Sequence, residues 1–186
     1  RALRISAEAT VRLRILADLG LAHAPVGAGG TLLAAVGVLD VLDAARSAYD
    51  AGEYARALSC AAEASAQAPD EPDAHSERGA AFSALGRFDE AGADYEQMVK
   101  LDENLGSSHW RRGIAFFYAG RFKDAAAQFE SYHTFDQVDR ENGIWRYLSQ
   151  WKAFGLEKAR QGLLKYKKDD REPFPDVYKL FAGEVT

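Results

Sequence analysis

From about residue 39 to residue 139 the small and apolar positions recur in blocks set 34 residues apart, with polar and charged residues between them. Gly52, Gly86 and Gly120 mark the register. Each is followed two residues on by a ring (Tyr54, Phe88, Phe122) and five on by an alanine (Ala57, Ala91, Ala125). Two blocks also carry a glycine seven residues earlier (Gly79, Gly113), an aromatic three after it (Phe82, Phe116), and a second ring at Tyr95 and Phe129. The first block is degenerate, with Ala45 for the early glycine and Ala61 for the second ring. A period of this length predicts helix–turn–helix units, each with an apolar face that only a stacked neighbour can cover. The glycines and alanines let helices approach, and the rings fill the space between layers.

The spacing predicts helix A of the first unit over Leu39 to Asp50 and helix B over Tyr54 to Gln67. The repeats then span 39–71, 72–105 and 106–139, with Asp70, Asp73 and Asp102 in the turns, where Asp caps a helix or tightens a bend. A degenerate fourth unit covers 140–168. Trp145, Leu148 and Trp151 supply its first stripe, Gly155 its turn, and Ala159 and Leu163 its second helix. The stretch KYKKDDREPFP, residues 165–175, breaks the helix. Pro175 or Asp176 then opens a short last helix with Val177, Leu180 and Phe181 on one face, so that residues 169–186 form an end piece over the last repeat. The repeat domain as a whole spans 39–181.

Residues 1–38 form an N-terminal extension of different character. Ile5, Val11, Ile15, Leu16 and Leu19 share one face of a predicted amphipathic helix over residues 1–20. His23 to Gly30 is a glycine-rich breaker, and helical signals resume at Thr31. No Asp, Glu, Lys or Arg occurs between Leu19 and Leu39, a length that could span a bilayer, but Pro25 and five glycines interrupt it. The arginine-rich, acid-poor leader also has the flavour of a targeting sequence. Three readings stay open for this extension: a docking helix, a cap on the chain's own repeats, or a targeting remnant.

Composition adds little to the fold but changes the electrostatic picture. The 186 residues carry a net charge of −5, unevenly placed. Residues 40–110 hold fifteen Asp/Glu against five Lys/Arg, and residues 111–168 hold twelve Lys/Arg against six Asp/Glu. Such a polarised field can orient an approaching partner. Nucleic acid is not expected, because the basic half carries no recognition signature and the total is negative. One cysteine, Cys60, excludes an internal disulfide and a cysteine-cluster metal site.

Catalytic and cofactor motifs are missing from the sequence. His23, His75, His109 and His133 offer neither an i,i+4 pair nor HExxH, and there is no GxSxG and no phosphate-binding loop. His75 and His109 are 34 residues apart, at one repeat position, where a packing role is expected. No cofactor, metal or catalytic residue is assigned.

The repeats resemble the tetratricopeptide family. That resemblance implies an all-α fold, a right-handed superhelix of stacked helical hairpins with an extra N-terminal helix and a C-terminal capping helix. The stretch Trp110 to Phe181 is also similar to small tetratricopeptide proteins of cyanobacteria and plastids. The similarity runs through Arg111-Arg112-Gly113-Ile114, Phe116-Phe117, Gly120-Arg121-Phe122 and Gln128-Phe129. It continues in Glu141-Asn142, Ile144-Trp145, Leu148, Gly155, Lys158-Ala159-Arg160, Asp170-Arg171 and Pro173. A weaker likeness is to bacterial envelope lipoproteins that act as protease adaptors. These resemblances imply a non-catalytic protein-binding scaffold, expected as an accessory or assembly subunit docked on a photosynthetic membrane complex in the thylakoid lumen. Membrane association would be peripheral, through the complex or residues 1–38. The alternatives are an adaptor that presents substrates to a protease or chaperone, in a bacterial periplasm or cytoplasm, and an enzyme.

In this family helix A lines a concave groove. Counting from the early glycine, the family's rule picks Trp110, Arg111, Ile114, Phe117 and Tyr118 in the third repeat. It picks Leu42, Arg46, Tyr49 and Asp50 in the first, and only small or polar residues in the second. An extended peptide or a helix of another protein is the implied ligand. Two competing fates are that the chain's own N-terminal helix fills the groove, and that the aromatics pack on the fourth repeat. The chaperone-binding subclass grips a terminal carboxylate with Lys and Arg; here only Arg46 and Arg111 qualify.

Overall fold

The computed structural model describes residues 28–166 and 172–185. The amphipathic helix predicted over residues 1–20 and the first part of the glycine-rich breaker lie outside them. All regular secondary structure among the described residues is helical. The helices are α1 (Ala28–Asp50), α2 (Tyr54–Gln67), α3 (Pro72–Ala84), α4 (Phe88–Leu101), α5 (Leu105–Ser108), α6 (Trp110–Tyr118), α7 (Phe122–Phe135), α8 (Arg140–Phe154), α9 (Leu156–Gln161) and α10 (Phe174–Ala182). Two compact units divide the chain, Arg1–Asp40 and Val41–Thr186. The described part of the first is the opening of α1. No helix among the described residues is long and apolar enough to cross a membrane.

Helix α1 begins at Ala28, ahead of the expected Thr31 and Leu39 starts, and takes in Gly29 and Gly30. A glycine costs a helix about 1 kcal/mol against alanine.

In the second unit the repeats are near-superimposable in their turns. Gly52, Gly86 and Gly120 take φ of 75°, 74° and 75°, left-handed values open to glycine and costly for a side chain. The residue after each glycine donates its N–H back across the turn: Glu53 to Ala48 O, Arg87 to Phe82 O and Arg121 to Phe116 O, at 2.8, 2.9 and 2.8 Å. This bonding closes the first helix of each pair and starts the second at a fixed angle. Helix pairs α2/α3, α4/α6 and α7/α8 then pack repeat on repeat. Ala57, Ala91 and Ala125 are buried where helices cross, and Tyr95 and Phe129 are fully enclosed.

The third repeat departs from the expected single helix A. Its first turn, α5, ends at Ser108, and His109 at ψ 74° separates it from α6. The matching helix of the second repeat starts with Pro72 at its first turn and is capped by Glu71, which accepts from the Asp73 N–H. Asn104, Gly106, Ser107 and Ser108 offer no such start, and Ser, Asn and Gly favour turns over helix interiors. Gln128 fixes the detour: its Nε2 donates to Gly106 O at 2.8 Å while its Oε1 accepts from Arg112 Nε at 2.7 Å.

The last helix, α10, begins at Phe174, a residue ahead of the expected Pro175. Phe174 is buried, whereas Leu180, expected on the packed face, is exposed. Phe181 stacks on Tyr147 of α8 with ring centroids 4.1 Å apart.

Candidate protein-binding groove

Helices α3, α6 and α8 are the first helices of successive repeats, and their shared face changes character along its length. At the α1–α3 end it is ionic. Arg46 of α1 donates through Nε to Glu77 Oε1 at 2.6 Å and through Nη2 to Asp73 Oδ2 at 2.9 Å, with Asp43 Oδ1 at 3.7 Å. These bonds to Glu77 first, and to Asp73, hold its guanidinium above the usual arginine range. Arg46 is thereby committed to the protein's own carboxylates. Leu42, placed in the groove by the family's rule, is 1 % exposed and is corrected to a core side chain. Tyr49 is half-buried, tilted against Tyr54 at 5.4 Å and packed on the Ala48–Ala57–Ala81 cluster. Asp50 is exposed at the end of α1.

At the α6–α8 end the face is aromatic. Trp145 of α8 meets Phe117 at 5.3 Å, Tyr118 at 5.9 Å and Phe129 at 6.3 Å. Phe117 also lies edge-on to Phe122 at 5.3 Å. Phe117 is half-buried among these rings and packs on Trp145 of the fourth repeat. Tyr118 stays 55 % exposed beside Phe88, its ring stacked at 4.8 Å. Trp110, at the start of α6, is 43 % exposed, and the Arg111 guanidinium sits over its ring at 5.0 Å.

Trp110, Ile114, Phe129 and Trp145 wall a cleft of about 270 Å³, closed at its polar side by Asp139, Glu141 and Asn142. The cap of α8 sets this polar side. Asp139 Oδ1 accepts from the Asn142 N–H at 3.1 Å, which fixes the first turn of the helix and the direction in which Trp145 leaves it. Of the nine residues the family's rule selects in the first and third repeats, Trp110 and Ile114 line the cleft, while Arg111 and Tyr118 are exposed beside it. The polar residues escape that rule because Asp139 is the last residue of the third repeat, capping the helix that follows, and Glu141 and Asn142 belong to the fourth. The sequence signal for them is an Asp three residues before an Asn at a helix start.

Next to Trp110 in the chain, the half-buried His109 meets the fully enclosed Tyr95. His109 packs on Tyr95 with centroids 4.6 Å apart. Burial, then the Arg111 and Arg112 charges, pushes the imidazole down to about 4. Burial likewise pushes the Tyr95 phenol up to about 12. Both rings stay neutral near pH 7, which suits packing. His75 is held by Pro69 O at 2.8 Å and by Asp94 Oδ1 at 3.4 Å, so this repeat position is structural in both copies.

Comparison with known proteins places this architecture. Residues 42–105 match the family described as the tetratricopeptide repeat. The second TPR domain of human RPAP3, determined by NMR with the HSP70 peptide SGPTIEEVD, is similar in fold. Its TM-score is 0.58 and its identity 20%, over 63% of this chain and 98% of that one. The crystal structure of the Sgt2 TPR domain from Aspergillus fumigatus gives a TM-score of 0.56 and 24% identity, over 73% of this chain and 89% of that one. No curated protein matches the chain. Residues 42–105 thus match the tetratricopeptide repeat, and the fold of the described hairpins is similar to that of these solved TPR domains.

Proposed function

We propose that this protein is a non-catalytic scaffold that binds a segment of a partner protein across the α3–α6–α8 face, with the Trp110 cleft as its anchor point. The supporting observation is Trp110 itself: a large, half-exposed ring at the mouth of a cleft walled by Ile114, Phe129 and Trp145. Binding energy in protein interfaces concentrates on such aromatic anchors. At about 270 Å³ the cleft falls below the range of roughly 300–1,000 Å³ common for small-molecule pockets and suits a single side chain.

The RPAP3 domain's ligand SGPTIEEVD is rich in carboxylates. In this chain Arg46 is already held by Glu77 and Asp73, which argues against a carboxylate-gripping groove. Among the finer settings, a subunit docked on a photosynthetic membrane complex in the thylakoid lumen rests on the residue likeness over Trp110 to Phe181. An adaptor role for a protease or chaperone rests on the peptide-binding fold. Crosslinking from a photoreactive residue at Ser107, beside α6, tests both. One long-lived partner of fixed stoichiometry supports the subunit, and many transient extended partners support the adaptor. Failure of any protein to crosslink in a Trp110-dependent way overturns the scaffold reading.

A further inference from the structure

We infer that the last turn of α8 is a second contact region, separate from the Trp110 cleft, which takes an acidic amphipathic segment of a partner protein. Its apolar side chains would cover Trp151 and Phe154, and its carboxylates would meet Lys123 and Lys152. Tyr147, Trp151 and Phe154 stand at i, i+4 and i+7, so they share one side of α8. Tyr147 is buried under Phe181 of α10, but Trp151 is 46 % and Phe154 53 % exposed. The cause is local. The second helices of the first three repeats, α2, α4 and α7, have fourteen residues each, and α9 has six. At 1.5 Å per residue α9 runs about 9 Å, against about 21 Å for the others, too short to lie along all of α8. Trp145, in the wall of the Trp110 cleft, points about 120° around the helix from Trp151, so the two faces are distinct.

The charge beside this face names the occupant. On the same turn Lys152 and Ala153 line an open pocket of about 420 Å³, whose other wall is the Gly120 turn with Arg121, Lys123 and Asp124. Arg121 is held by Asp124 at 2.8 Å and by Glu96 at 2.7 Å. Lys123 and Lys152 are exposed and meet no carboxylate among the described residues. Nor does the neighbourhood hold a spare acid for them. Of the six acids in residues 111–168, Asp124 and Glu130 are bonded by Arg121 and Arg146, and Glu157 faces Arg160 at 4.0 Å. Asp136 and Asp139 accept from backbone N–H groups, and Glu141 is engaged as well. Against these six stand twelve Lys and Arg. The counter-charge that this surface lacks therefore comes from outside, on a ligand that also brings apolar side chains. A second copy docked through the same face would set lysines against lysines, since a two-fold contact pairs a patch with itself.

Three acetylated, amidated helical peptides carrying an uncharged dye test this. One has leucine at i, i+4 and i+7 flanked by glutamate, one has lysine for each glutamate, and one has serine for each leucine. Binding to the full chain is read by fluorescence anisotropy at physiological salt. The leucine–glutamate peptide is expected to bind at least about tenfold tighter than either of the others. Trp151→Ser with Phe154→Ser, and separately Lys123→Glu with Lys152→Glu, should each weaken it by about tenfold or more. All four residues are exposed, so both double variants keep the fold. Equal binding of the glutamate and lysine peptides overturns the inference, as does an affinity that either double variant leaves unchanged. Loss of binding in Trp110→Ala but not in the Trp151/Phe154 variant places the peptide in the cleft, which overturns this inference and leaves the groove reading standing. A dimer in sedimentation that the Trp151/Phe154 variant dissolves makes a second copy the occupant and overturns it. So does binding to phosphatidylglycerol-containing vesicles, lost in both double variants, when no peptide binds.

Discussion

Phe129 lies so close to Gly113 that a β-carbon built on that glycine would stand 2.7 Å from the Phe129 ring. One repeat earlier, Tyr95 stands 2.7 Å from the β-carbon position of Gly79. The same ring-on-backbone contact thus joins the two helices of successive repeats, and it sets how closely they approach. Gly113→Ala should gain up to about 1 kcal/mol of helix propensity yet lose more to overpacking of an enclosed ring. The expected net loss is about 1–3 kcal/mol, seen as a lower urea midpoint with unchanged m. A neutral or stabilising result would show that Phe129 has room to move.

The repeats were legible because their determinants are local and periodic. A glycine that must take positive φ, an alanine at a crossing and a ring against a glycine each leave a residue of fixed type at a fixed offset. The break at His109 was not legible, since it depends on Gln128 reaching Gly106 O from the neighbouring helix. The groove was only half readable for a related reason. Counting offsets along helix A identifies positions that face one way, and it cannot say which of them the next repeat covers. Trp145 covers Phe117, and Leu42 is packed away, while Trp110 and Ile114 remain on the cleft.

His109 should make stability pH-dependent. Its folded-state pKa, about 4, lies below its ordinary value of 6.5, chiefly through burial. As pH falls from 6.5 the unfolded chain takes up a proton that the folded chain refuses, so stability declines until pH 4 and then levels for this group. The loss is about 1–3 kcal/mol across that window. His109→Phe keeps a ring against Tyr95 and cannot titrate. Chemical denaturation at pH 7 and pH 4.5 should therefore show a smaller drop for His109→Phe than for the parent.

Arg46 separates a structural ion cluster from a ligand clamp. Its partners Asp73 and Asp43 are well exposed, and Glu77 only partly buried. Arg46→Gln should therefore cost no more than about 1 kcal/mol in thermal unfolding. Titration of SGPTIEEVD into the parent and the variant gives the opposing measurement. Saturable binding that vanishes with Arg46→Gln would mean that this arginine serves a carboxylate ligand after all.

The end of the chain should control the start of α8, and through it the cleft. Phe181 stacks on Tyr147, whose hydroxyl donates to Phe181 O at 3.3 Å. From the same helix Tyr178 donates to Arg140 O at 3.0 Å, and Tyr166, edge-on to Tyr178, donates to Asp139 O at 3.1 Å. Asp139 and Arg140 open the helix that presents Asn142 and Trp145. Phe181→Ala removes a half-buried ring and should cost about 2–4 kcal/mol, toward the lower part of the range for buried phenylalanine. Hydrogen exchange should quicken first in α10, then at Asn142 and Gly143, while amides of α3 and α4 stay protected. Peptide affinity at the Trp110 cleft should fall in parallel, although no cleft residue has changed. Loosening confined to α10, with α8 protection and affinity intact, would show that these tyrosine bonds follow the cleft's geometry without setting it.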